Sequence, residues 1–98
     1  MSVARHVVVR GRVQGVGYRA FVEHEALRRG IEGWVRNRRD GTVEALFMGD
    51  DAAVTDAIEA CRRGPFAAHV DGIDQREGRA EELALRRASE LFSVLATA

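Results

Sequence analysis

The chain has 98 residues, 46% of them hydrophobic and 31% charged, with 15 basic and 15 acidic side chains balancing to a formal net charge of zero. That length suits one compact domain over residues 1–98, the balanced charge argues against a general nucleic-acid binder, and a lone cysteine, Cys61, rules out an internal disulfide framework. All 15 basic residues are arginine, which excludes lysine-dependent phosphate loops and Schiff-base chemistry.

From the N-terminus, Met-Ser-Val-Ala-Arg-His lacks the charged-then-apolar pattern of a secretory leader. No run approaches the ~20 apolar residues that cross a bilayer, so the expectation is a cytoplasmic protein with no membrane partner. Residues 5–13 place Val7, Val9 and Val13 on one face and predict a first strand. Tyr18, Phe21, Val22 and Ala26 form an imperfect helical stripe from Tyr18 to Arg29, closed by Gly30. Glu25 and Arg29 interrupt the stripe, but their acid-first i,i+4 order lets them pair at its margin.

Ile31 to Arg38 and Thr42 to Met48 are rich in β-branched and aromatic residues and are joined by Arg39-Asp40-Gly41, a strong antiparallel hairpin signal. Asp50 is placed to cap a helix carrying Val54, Ala57, Ile58 and Cys61 at i, i+3, i+4 and i+7, with Gly64-Pro65 ending it. Ala67 to Ile73 predicts a further strand with a bulge tolerated near Asp71-Gly72. Residues 78–90 read as a helix or an exposed polar loop, and Leu91 to Thr97 as a final edge strand. Strand, helix, strand, strand, helix, strand is the split βαβ order. It predicts an α+β, ferredoxin-like sandwich: an antiparallel sheet with two helices on one face.

The chemistry concentrates between the first strand and first helix, in Gly11-Arg-Val-Gln14-Gly15-Val16-Gly17-Tyr18-Arg19. Glycines there permit a tight turn, the new helix offers unpaired N–H donors, and Arg19 adds a cationic fork that can span two phosphate oxygens. The first 22 residues hold Arg5, Arg10, Arg12 and Arg19 without one acid, which also favours an anionic ligand. Arg19 alone would read as a solvated first-turn arginine; the glycine loop beside it turns the reading toward a small phosphorylated ligand. The glycines alone are equally a simple strand-to-helix turn, and they do not match the dinucleotide fingerprint.

Asn37 precedes Arg38-Arg39, and its amide can both donate and accept, as is needed to hold a water in line with phosphorus. From the residues alone, an ordinary exposed strand asparagine is the simpler reading. Cys61 reads as a buried structural thiol, Trp34 as core, and His6, His24 and His69 lack metal-ligand spacing.

The chain resembles the acylphosphatase family. The resemblance rests on Gly11 to Arg19, on Gly30-Ile31-Glu32-Gly33-Trp34-Val35-Arg36-Asn37, on Asp40-Gly41-Thr42-Val43-Glu44, and on Gly49 and Gly64-Pro65. It implies hydrolysis of the carboxyl–phosphate bond of acyl phosphates without metal or other cofactor. It also implies Arg19 and Asn37 as the catalytic pair and the backbone of Gln14, Gly15, Val16, Gly17 and Tyr18, with Arg19, as the phosphate-binding loop. The implied partner is a small-molecule acyl phosphate; a monomer with no nucleic-acid or membrane partner is the default expectation. Two other readings stand beside it: a noncatalytic phosphate or carbamoyl-phosphate binding module, and an RNA-binding ferredoxin-like sheet, for which the paired stacking aromatics are missing.

Overall fold

A computed structural model describes residues 1–98. Its elements are β1 (Ser2–Arg12), α1 (Tyr18–Leu27), β2 (Glu32–Asn37), β3 (Val43–Asp50), α2 (Asp51–Arg63), β4 (His69–Glu77), a 3₁₀ helix (Ala80–Leu85) and β5 (Phe92–Val94). The five strands form one sheet in the order β4-β1-β3-β2-β5. The pairs β1/β3, β1/β4 and β2/β3 are antiparallel as expected, but β5 lies parallel to β2, so the sheet is mixed. No helix is long and apolar enough to cross a membrane.

Alternation along the strands divides the sheet into two faces. Val7 and Val9 of β1, Val35 of β2, and Val43, Ala45 and Phe47 of β3 turn toward the helices, where they meet Val22 and Ala26 of α1 and Val54, Ala57, Ile58 and Cys61 of α2. The i, i+3, i+4, i+7 stripe read from α2 is thus the buried one. Burial pushes the Cys61 thiol up to about 12, leaving a packing group and not a nucleophile. Asp50 does occupy the N-cap position of α2, yet its side chain caps no backbone N–H and faces the Met1 ammonium at 3.3 Å instead. The bulge falls where it was expected: Arg10 pairs with Gly72 and Gly11 with Val70, which leaves Asp71 as the extra residue. Glu25 and Arg29 pair at 2.8 Å, and that bond holds the Glu25 carboxyl below its ordinary range.

The opposite face is where residues 78–90, expected as a helix or an exposed polar loop, come to lie. They hold a short 3₁₀ helix within a mostly exposed segment that crosses the outer face of the sheet. Gly78 donates its N–H to the Ala4 carbonyl at 2.9 Å, and the 3₁₀ helix presents the Glu82 carbonyl to the Trp34 indole N–H at 2.8 Å. Trp34 and Leu46, cross-strand neighbours on this face, are accordingly as buried as the main core. Beside them the Arg36 guanidinium lies 4.8 Å from the Trp34 ring centre and donates to Glu44 Oε1 at 2.7 Å, while Glu44 Oε2 meets His6 Nε2 at 2.7 Å. Burial alone would raise the Glu44 carboxyl; the bonds from Arg36 and His6 outweigh it and keep the group below the usual range.

Glu82 fastens this cover. It receives both guanidinium nitrogens of Arg76, at 3.0 and 2.7 Å, and the Arg79 backbone N–H at 2.8 Å. The Arg76 bonds, followed by the Arg79 N–H, bring its carboxyl from 4.5 down to about 2. A carboxyl depressed by folding stabilises the fold fully above its unfolded value and ceases to do so as pH falls from about 4.5 toward about 2. Glu82→Gln is therefore expected to be less stable at neutral pH and to lose less further stability across that acid window. Urea midpoints measured at each pH check this, and a slope equal to wild type would deny Glu82 the role.

Candidate active site

The β1-to-α1 connection is anchored at its base by Val13, which is 1% exposed. Gly15 at φ 73° and Gly17 at φ 78° then take left-handed backbone conformations that a side chain would strain. The result is a run of unused donors. The N–H groups of residues 15–20 make no hydrogen bond within the protein; the ladder of α1 begins with Phe21 N–H to Gly17 O at 3.1 Å. Six consecutive free N–H groups at a helix start form a concentration of positive partial charge suited to an oxyanion.

Arg19 is the second residue of α1. It is half-buried and takes part in none of the ion pairs that occupy Arg10, Arg28, Arg29, Arg36, Arg62, Arg76, Arg86 and Arg87. A guanidinium held at an anion-binding loop without a carboxylate partner has its full charge available to a ligand. Arg19 opens on a cleft of about 370 Å³ whose walls are Val13, Gly15, Gly17, Tyr18, Ala20 and Glu23 on one side and Asn37 and Val94 on the other. Arg19 and Asn37, 18 positions apart in sequence (37 − 19), thus share one cavity.

Asn37 ends β2 opposite Val43, and its backbone carbonyl accepts the Ala98 N–H at 3.0 Å. Its side-chain Oδ1 is buried and has no hydrogen-bond partner. Leaving a buried acceptor unpaired costs on the order of 1–3 kcal/mol.

The remaining loop residues shape the cradle. Gln14 turns away from the cleft: its Nε2 donates to the carbonyls of Arg38 at 2.7 Å and Thr42 at 2.8 Å, fastening the loop to the β2–β3 hairpin. Val16 packs partly buried on the core. Tyr18 combines a lining role with an anchor, since its hydroxyl donates to the Cys61 carbonyl at 2.8 Å and ties the start of α1 to α2. Burial is the main reason its phenol is pushed above the ordinary value. Four lining residues were given no role at the site by the sequence: Val13, Ala20, Glu23 and Val94. Glu23 follows from helix periodicity, four residues after Arg19; Val94 depends on the parallel placement of β5, for which the sequence carries no local signal.

A ferredoxin-like sandwich in which an unpaired N–H run, an unpaired arginine and Asn37 meet at one small cleft has the features of a class of protein that handles phosphoryl groups. The comparisons identify which. The Acylphosphatase family profile matches residues 5–86. An acylphosphatase of Rhodopseudomonas palustris (strain BisB18) is 56% identical over 96 residues, covering 98% of this chain and 97% of its own. The crystal structure of acylphosphatase from Bacillus subtilis superposes with a TM-score of 0.83 at 38% identity, over 97% of this chain and 99% of that one. Full-length HypF, in a phosphate- and nucleotide-bound crystal structure, also gives a TM-score of 0.83, at 25% identity, over 99% of this chain and only 12% of that one. The chain belongs to the acylphosphatase family, and it is an enzyme of that kind, a hydrolase acting on acyl phosphates.

Proposed function

We propose that a single domain spanning residues 1–98 hydrolyses acyl phosphates by direct attack of water on phosphorus, with Arg19 and Asn37 as its catalytic pair. The backbone from Gln14 to Tyr18 shapes the phosphate loop, and Arg19 together with the free N–H groups of residues 15–20 binds and neutralises the phosphoryl oxygens. Asn37 Oδ1 accepts a hydrogen bond from the attacking water and so fixes its oxygen in line with the bond to be broken. The new bond joins that oxygen to phosphorus, the phosphorus–oxygen bond to the acyl group breaks, and the carboxylate leaves with the bonding pair. The water proton passes to a phosphoryl oxygen. A carboxylate is a good leaving group, so the step needs no strong general acid.

The supporting observation is the meeting in one cleft of free donors and an orphaned acceptor, Asn37 Oδ1. A monomer is the reading we adopt, and one buried thiol suits a reducing compartment such as the cytoplasm. Hydrolysis of benzoyl phosphate in ¹⁸O-enriched water tests the reading. The label is expected in inorganic phosphate; label in benzoate would move the attack to the acyl carbon and leave Asn37 without the role assigned to it.

A further inference from the structure

The cleft contains one ionisable side chain that the reaction above does not use. Glu23 lies one turn beyond Arg19 on α1 and lines the same cavity, beside the apolar Ala20 and facing Val94 of β5 and Asn37 of β2. It is half-buried, yet its carboxylate takes part in no hydrogen bond and in no ion pair within 4.0 Å. Its neighbour Glu25, by contrast, is paired with both Arg28 and Arg29. The Glu23 carboxylate therefore acts on the cleft unneutralised by any protein partner.

Its position relative to the phosphate follows from helix geometry. The donors of residues 15–20 fix the phosphoryl group at the start of α1, and four residues at 1.5 Å rise carry Glu23 about 6 Å further along the cleft wall. With phosphate seated there, an acyl group lying along this wall would pass Glu23. We propose that Glu23 is a specificity-determining residue that reads the charge of the acyl group, admitting neutral or cationic acyl phosphates and disfavouring those that carry a second anionic group. The inference rests on the placement of phosphate at Arg19 proposed above. Two like charges on the order of 7 Å apart in a half-exposed cleft repel enough to change kcat/KM about tenfold.

A matched pair of substrates isolates the charge: 4-carbamoylbenzoyl phosphate and 4-carboxybenzoyl phosphate have nearly the same shape and differ by one negative charge. Wild type is expected to favour the carbamoyl compound about tenfold in kcat/KM, Glu23→Gln to bring the two within about twofold, and Glu23→Arg to invert the preference. Salt at about 1 M, where the Debye length is roughly 3 Å, should compress the wild-type ratio and leave that of Glu23→Gln in place. A role in folding alone would lower both rates together and leave their ratio unmoved. One ratio common to all three proteins, with Arg19→Ala inactive on both substrates, overturns the inference about Glu23 and leaves the phosphate site standing. Full activity in Arg19→Ala overturns both.

Discussion

Arg19→Ala should lower kcat/KM for benzoyl phosphate by at least about 10³-fold and weaken competitive inhibition by inorganic phosphate along with it. The size of the effect follows from what Arg19 lacks as much as from what it has. Most arginines of the chain share their charge with a carboxylate, while Arg19 shares its charge with none and stands at the cleft beside six free N–H donors. Removing it leaves the loop dipoles alone against a phosphoryl group whose charge the transition state redistributes over its oxygens. Arg19→Lys should recover only part of the loss, because an ammonium is a point charge and cannot reach two oxygens with a planar fork. Steady-state kinetics with chelator present, alongside phosphate inhibition constants, decide the matter. Turnover near wild type in Arg19→Ala would dismantle the proposed site.

Asn37→Ala should separate binding from turnover. A loss of about 10²–10³-fold in kcat is expected with phosphate inhibition nearly unchanged, since the proposed mechanism gives the water to Asn37 and the phosphate to the loop. The variant should not suffer in stability, because the amide oxygen it removes is buried without a partner and deleting an unsatisfied group relieves a desolvation cost. Asn37→Asp sharpens the test. It keeps an acceptor of nearly the same shape but sets a negative charge beside a dianionic substrate, so KM should rise as well as kcat fall. If phosphate affinity disappeared together with turnover in Asn37→Ala, the residue would belong to the binding set and another group would have to position the water.

Much of this architecture was legible where local chemistry and tertiary packing agree. The Asp40-Gly41 turn between β-branched runs could hardly be other than a hairpin, and the α2 stripe from Val54 to Cys61 meets the sheet as its spacing requires. The failures share a cause: partners distant in sequence. Ala80 to Leu85 has the composition of an α-helix, but the Trp34 indole and the Arg76 guanidinium draw Glu82 onto the outer sheet face and leave room only for a 3₁₀ turn. Asp50 has the right residue type for a cap and spends its carboxylate elsewhere. The pairing of β5 with β2 uses the edge that remains open once the hairpin, β1 and β4 have joined, information that no window of residues 91–97 contains.

The site divides along the same line. The chemistry of the glycine loop and Arg19 can be read residue by residue, Asn37 stands out only through the family resemblance, and the fold brings them to one cleft. Glu23 was open to inference from helical spacing. Val94 was not, since it reaches the cleft only through β5.

The two carbonyls clamped by the Gln14 amide bear on how the enzyme comes into being. They belong to Arg38 and Thr42, on either side of the hairpin turn, 24 and 28 residues along the chain from Gln14. An anion cradle could in principle form early, from a local strand-to-helix segment alone, and would then bind phosphate in a half-built chain. Because its support spans the gap between β1 and the hairpin, the cradle gains rigidity only once the centre of the sheet has assembled. The rigidity of the loop is thereby tied to completion of the long-range pairing between β1 and the hairpin.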